Sequence, residues 1–237
     1  PVGTVALDAS GAATFATSAL TAGSHTITVQ YSGDTTYLSS TSATVSQDVN
    51  KANQSALVAL ASPASILFGG ASALGTTGGD GTGAVTFAVT SGDTFCSISG
   101  TTLTGVGAGS CTVTATKAGD ANYNAATATV DVSVGKASQT ISFTNPGGQT
   151  FSPGGLVPLS ASASSGLTVA FASTTPAVCD IAGTDAVILA AGDCTIEATQ
   201  AGDANYNAAP AEQETFAIGK ANQSALVALA SPASILF

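Results

Sequence analysis

The chain has 237 residues, 44% of them hydrophobic and only 8% charged, with 14 acidic against 4 basic side chains and a net charge of −10. So few basic residues, gathered in no patch, argue against nucleic acid and anionic membranes as partners, because phosphate binding draws on Lys and Arg. Mean hydropathy is +0.39, yet no apolar run approaches the roughly 18–20 residues of a membrane-spanning helix, so no membrane insertion is expected.

Taken in chain order, the predicted elements are all strands. "HTITVQY" (His25–Tyr31), "AVTFAV" (Ala84–Val89), "CTVTAT" (Cys111–Thr116), "ATATVDVSV" (Ala126–Val134) and "LTVAF" (Leu167–Phe171) alternate or cluster Val, Thr, Ile and Phe. Gly, Asp, Asn and Pro punctuate them at roughly 8–12-residue intervals, the rhythm of an all-β sandwich. The Ala-rich stretches "ALVALASPASILF" (Ala56–Phe68) and "TDAVILAAGD" (Thr184–Asp193) are short and broken by Pro or Gly, which favours strand over helix.

The chain also repeats itself. "GSCTVTATKAGDANYNAA" (Gly109–Ala126) matches "GDCTIEATQAGDANYNAA" (Gly192–Ala209), and a "KA-x-Q" phrase opens at Lys51, Lys136 and Lys220. "KANQSALVALASPASILF" stands unchanged at Lys51–Phe68 and Lys220–Phe237. "GSHTITVQYSGDTTYLSS" (Gly23–Ser40) belongs to the same series, with His25 where Cys111 stands, and "GTVALD" (Gly3–Asp8) is expected to match the strand "GAVTFAV" (Gly83–Val89). A repeat of this size is one small sandwich, which predicts beads on a string. The expected domains are 1–50 (truncated, its opening strands missing), 51–135, 136–219, and 220–237 as the opening strands of a further unit.

The phrases "TSALTAGSHTITVQYSGDTTY" (Thr17–Tyr37), "VGAGSCTVTATKAGDANYNAA" (Val106–Ala126) and "STTPAVCDIAGTDAVILAAGDCTIEATQAGDANYNAAP" (Ser173–Pro210) resemble bacterial immunoglobulin-like repeats. Such repeats stand in tandem in large surface and secreted, adhesin-like proteins. The resemblance implies antiparallel Greek-key β-sandwiches in an extended arrangement and an extracellular or cell-surface setting. It implies no activity, since such repeats serve as spacers, stalks and adhesive modules alike.

The four cysteines fall as Cys96/Cys111 and Cys179/Cys194, one pair in each full-length unit. Matched spacing without C-x2-C doublets argues for one disulfide per unit over a zinc site, with free buried thiols as the alternative. His25 has no second His and is read as structural or exposed. No nucleophile–base motif, "HExxH", phosphate loop or dinucleotide fingerprint occurs, so no catalytic or cofactor-binding residue is assigned and an enzyme is not expected.

"GDANYN" and "GDTTY" read as tight turns, with Tyr37, Tyr123 and Tyr206 packing a ring beneath them. Calcium held by Asp34, Asp120 and Asp203 is the one metal candidate, although one carboxylate per turn is thin for 6–8 oxygen ligands. Lys51, Lys136 and Lys220 at unit junctions and Lys117 before a turn do not suit an isopeptide staple. "NQS" at Asn53 and Asn222 matches a glycosylation sequon.

Two arrangements follow for the partial units. In one, the chain is a window on a longer tandem array, which the unchanged 18-residue copies favour as the mark of recent duplication. In the other, Ala225, Leu226, Val227, Leu229, Ile235, Leu236 and Phe237 form an assembly strand that completes the first unit of the next subunit head-to-tail. Both predict an extended structural fibre with self as partner. The alternative is an adhesin module whose inter-strand loops contact glycan or host protein.

Overall fold

Strands make up the regular structure of residues 2–223, the part of the chain that the computed structural model describes. Among the described residues no helix is long and apolar enough to cross a membrane. The expected assembly strand, Ala225 to Phe237, lies outside the described residues. The chain divides into two compact units, Pro1–Val134 and Gly135–Phe237.

The first unit opens with β1 (Gly23–Ile27), β2 (Gln30–Tyr31), β3 (Ser40–Thr41) and β4 (Val45–Val49). β1 pairs antiparallel with β4, placing His25 opposite Gln47, and β2 pairs with β3. Gly3–Asp8 forms no strand, contrary to the reading that matched it to Gly83–Val89. Asp8 Oδ1 instead accepts the backbone N–H groups of Ser10 and Ala12 at 2.8 and 3.0 Å, a local turn that competes with strand pairing.

The rest of this unit is a two-sheet sandwich. Its strands are β5 (Leu57–Ser62), β6 (Ser65–Leu67), β7 (Ala71–Gly78), β8 (Val85–Ser91), β9 (Cys96–Ser99), β10 (Thr102–Gly105), β11 (Gly109–Lys117) and β12 (Ala126–Gly135). One sheet runs β5-β7-β10-β9 and the other β6-β12-β11-β8. β11 shows why the sequence folds this way. Its period of two buries Cys111, Val113 and Ala115 and turns Thr112, Thr114 and Thr116 outward. Those buried groups meet Ile66, Leu74, Cys96, Leu103, Val132 and Val134 between the sheets. Each large member contributes on the order of 1.5–3 kcal/mol by leaving water.

The second unit is built alike from β13 (Ile141–Thr144), β14 (Gln149–Thr150), β15 (Leu156–Pro158), β16 (Ser160–Ala163), β17 (Ala170–Ser173), β18 (Cys179–Ala182), β19 (Asp185–Ile188), β20 (Gly192–Thr199) and β21 (Glu212–Gly219). Its sheets are β14-β21-β20-β17, β15-β19-β18 and the pair β13-β16. β14 runs parallel to β21, while β20 pairs antiparallel with both β17 and β21. Val157, Ile188, Ile196, Phe216 and Ile218 fill the core, with Phe143 and Phe171 packed against it at a ring separation of 5.3 Å. The Ala-rich stretch Thr184–Asp193 contributes β19, as the sequence reading had it.

Candidate functional site: a turn and the phrase that docks on it

The Gly-Asp turns share one geometry. Asp120 Oδ1 accepts the backbone N–H groups of Asn122 and Tyr123, both at 2.9 Å, and Asp120 N–H donates to the Tyr123 carbonyl at 3.0 Å. Asp203 repeats this with Asn205 and Tyr206 at 2.7 and 2.8 Å, and Asp34 with Thr36 and Tyr37 at 2.7 and 2.8 Å. A short carboxylate two residues ahead of free N–H groups is well suited to close such a turn.

The second carboxylate oxygen differs between copies. Asp120 Oδ2 accepts the Thr82 N–H at 2.8 Å, whereas Asp34 Oδ2 accepts the Tyr31 hydroxyl at 2.6 Å. The Thr82 hydrogen bond, then those from Asn122 and Tyr123, hold the Asp120 carboxyl below its ordinary value. The Tyr31 hydroxyl, then the turn N–H groups, do the same for Asp34, and Asp34 in return raises the Tyr31 phenol. Asp34 and Asp120 therefore spend both carboxylate oxygens, and Asp203 its Oδ1, on the protein's own donors. No group of three or more His, Cys, Asp or Glu side chains converges among the described residues.

The loop before β8 presses close to the Asp120 turn. A side chain at Gly81, whose φ is +75°, meets Asp120 Oδ2, and one at Gly83 meets the Ala118 carbonyl. Only glycine fits both places. Tyr123 and Tyr206 are half-buried, as expected of rings beneath a turn, but Tyr37 is 69% exposed. That expectation fails at Tyr37, which stands in the segment 2–50 where no residue is buried.

The "KA-x-Q" phrases dock on these turns. Lys51 Nζ donates to the Asp120 carbonyl and Lys136 Nζ to the Asp203 carbonyl, both at 2.6 Å. Ala52 bridges Tyr123 and Ala137 bridges Tyr206 in parallel pairing. Gln54 Nε2 donates to the carbonyls of Ala118 and Asn124 at 3.2 and 2.8 Å. Gln139, only 3% exposed, donates to Gln200 Oε1 and the Asn207 carbonyl at 2.6 and 2.7 Å and accepts from the Ser165 hydroxyl. The sequence reading placed these lysines at unit junctions without seeing their acceptors. The signal lay in two motifs recurring with one period, "KA-x-Q" and "GDxxY".

Both cysteine pairs are disulfides, Cys96–Cys111 and Cys179–Cys194, each spanning 15 residues, and all four residues are buried. His25 takes the Cys111 position on β1 and donates from Nε2 to the Thr21 carbonyl at 2.7 Å. Asn53 Oδ1 accepts from Asn124 Nδ2 at 2.9 Å.

With this geometry in hand, comparison adds one family. Residues 1–50 match the model of the Bacterial Ig-like domain (group 3), so the resemblance read from the sequence holds there. No curated protein matches the chain. Among solved structures, an intimin fragment in complex with the translocated intimin receptor's intimin-binding domain is 17% identical at a TM-score of 0.28, over 71% of this chain and 64% of that one. The fibronectin(III)-like modules of Clostridium thermocellum CbhA are 16% identical at 0.28, over 70% and 94%. Surface layer protein SbsC, domains 1–6, is 13% identical at 0.29, over 91% and 37%. Scores this low do not by themselves define a shared fold.

Proposed function

We propose that the chain is a structural repeat segment of a bacterial extracellular or cell-surface stalk. The observation that carries this reading is the repeated closure of each sandwich on itself. The opening phrase of a unit is hydrogen-bonded to that unit's far turn, from Lys51 to Asp120 and from Lys136 to Asp203. Complete unfolding of a sandwich breaks that contact. A buried disulfide in each sandwich then limits how far it extends. Paired cysteines suit an oxidising, exported setting. With Lys+Arg at 4 in 237 residues, trypsin-like proteases find few bonds to cut.

The turn carboxylates of Asp34, Asp120 and Asp203 accept hydrogen bonds from the protein's own donors. Immobilised glycans and surface proteins, probed with and without millimolar calcium, test the reading. A stalk segment gives no saturable binding in either condition. Saturable binding that disappears when one inter-strand loop is replaced would instead identify an adhesin module.

A further inference from the structure

β8 ends one sheet of the first sandwich: β11 pairs with one side of it, and among the described residues no strand pairs with the other. Sheet edges are ordinarily guarded by short length, proline or charge, because their unpaired N–H and C=O groups invite another strand. Most edges of the two sandwiches have such guards. β5 runs into Pro63, β15 ends on Pro158, β18 carries Asp180, and β6, β14 and β17 have 3, 2 and 4 residues. β8 has 7 residues, "VTFAVTS" (Val85–Ser91), with neither proline nor charge.

The strand is also close to symmetric about its middle. Thr86 and Thr90 stand two positions either side of Ala88, and Phe87 and Val89 one position either side. Burial has the same symmetry: Thr86, Ala88 and Thr90 are exposed, whereas Phe87 and Val89 are half-buried against the core. Its register with β11 is regular from Val85 to Val89 and shifts only beyond. An open cleft of about 660 Å³ lies between β8 and β9, with Phe87, Val89 and the half-buried Ile98 among its walls.

We propose that β8 is a self-pairing edge, through which two copies of the chain join their first sandwiches by antiparallel β8–β8 hydrogen bonds about a two-fold axis at Ala88. The symmetry of the sequence names the occupant. An antiparallel second β8 sets Thr86 opposite Thr90, Phe87 opposite Val89 and Ala88 opposite its own copy, so exposed residues meet exposed and apolar meet apolar. Thr–Thr and aromatic–β-branched pairs across strands are favourable ones. Two copies of net charge −10 repel, and an uncharged edge is where their backbones approach with least opposition. The contact is isologous and closes at two copies. It joins two segments without lengthening either, goes beyond the stalk reading and is decided apart from it.

One strand pair is small beside the roughly 1,200 Å² that stable complexes bury, so the dimer belongs to high protein concentration. Light scattering on residues 1–237 over a hundredfold concentration range should show the mass rising from one copy to two and no further. Ala88→Lys sets two ammonium groups face to face on the axis and should shift that rise at least tenfold to higher concentration. Thr77→Lys, at an exposed position of β7, should leave it in place. Opposed residues of an antiparallel pair lie roughly 4.5–5.5 Å apart at Cα, within the roughly 4.4–6.8 Å of a disulfide. The four native cysteines are paired, so Ala88→Cys adds a single free thiol, which should oxidise to a covalent dimer well ahead of Thr77→Cys. A monomer at every concentration, growth past two copies, a rise that Ala88→Lys leaves in place, or equal oxidation of the two cysteine variants overturns the pairing. Each of these leaves the stalk reading to its own binding assay.

Discussion

Lys51 Nζ lies 2.6 Å from the carbonyl oxygen of Asp120, a residue 69 positions further along the chain, and Lys136 stands in the same relation to Asp203. The opening phrase of each sandwich is thus joined to the turn that precedes its last strand, β11–β12 in the first and β20–β21 in the second. Loop closure of this length carries an entropic cost, and the contacts that offset it are specific enough to be removed one at a time.

Gln139 is the strongest single member of such a latch. Its side chain is buried and serves Gln200, Asn207 and Ser165 at once. Gln139→Ala should lower the stability of its sandwich by roughly 2–3 kcal/mol, since the Asn207 carbonyl and the Gln200 amide lose buried partners. Lys136→Ala, which removes one exposed hydrogen bond, should cost about 1 kcal/mol or less. Urea unfolding of both variants checks the order, and equal losses would contradict it.

Replacing Cys179 and Cys194 by serine should destabilise the second unit by about 3 kcal/mol, the entropic value for a loop of about 15 residues. The same change at Cys96 and Cys111 should act on the first unit alone. Thiol alkylation without denaturant should label none of the four residues in the intact protein, as each is disulfide-bonded and buried.

Leu103 is fully buried in the first sandwich. Leu103→Ala leaves a cavity between the sheets and should cost about 2–5 kcal/mol. Leu67, on β6 and 54% exposed, is the control, and its alanine variant should change stability by under about 0.5 kcal/mol.

The Asp120 carboxyl is depressed by the Thr82, Asn122 and Tyr123 hydrogen bonds. A depressed carboxyl stabilises the fold above its unfolded value, near 3.8, and that stabilisation is lost as pH falls through the lower folded value. Asp120→Asn should therefore be less stable than the parent at pH 6, with the gap closing as pH drops below about 3 to 4. Urea midpoints across that range decide it, and a gap independent of pH would contradict the assignment.

Much of the fold was legible because the period of two is clean where both sheets are present. "CTVTAT" and "ATATVDVSV" became β11 and β12 with their alternation intact. The cysteine pairing followed from matched spacing. Three things were not legible. Gly3–Asp8 has the composition of a strand, but composition does not supply a neighbour to pair with, and Asp8 closes a turn instead. Tyr37 matches Tyr123 in sequence, yet it is 69% exposed while Tyr123 packs beside Gly81, a neighbour that its own motif does not name. The lysine contacts use backbone carbonyls, which every residue has, so no acceptor can be singled out by side-chain type.

The central claim is that each sandwich is a closed unit whose extension under load is limited by its disulfide. Stretching single molecules of the chain from its two ends, before and after reduction, tests it most directly. The account predicts discrete unfolding steps, with two of them lengthening on reduction by about 50 Å each, the span of some 15 extended residues. Smooth extension without steps, or steps of equal length in both redox states, would contradict it.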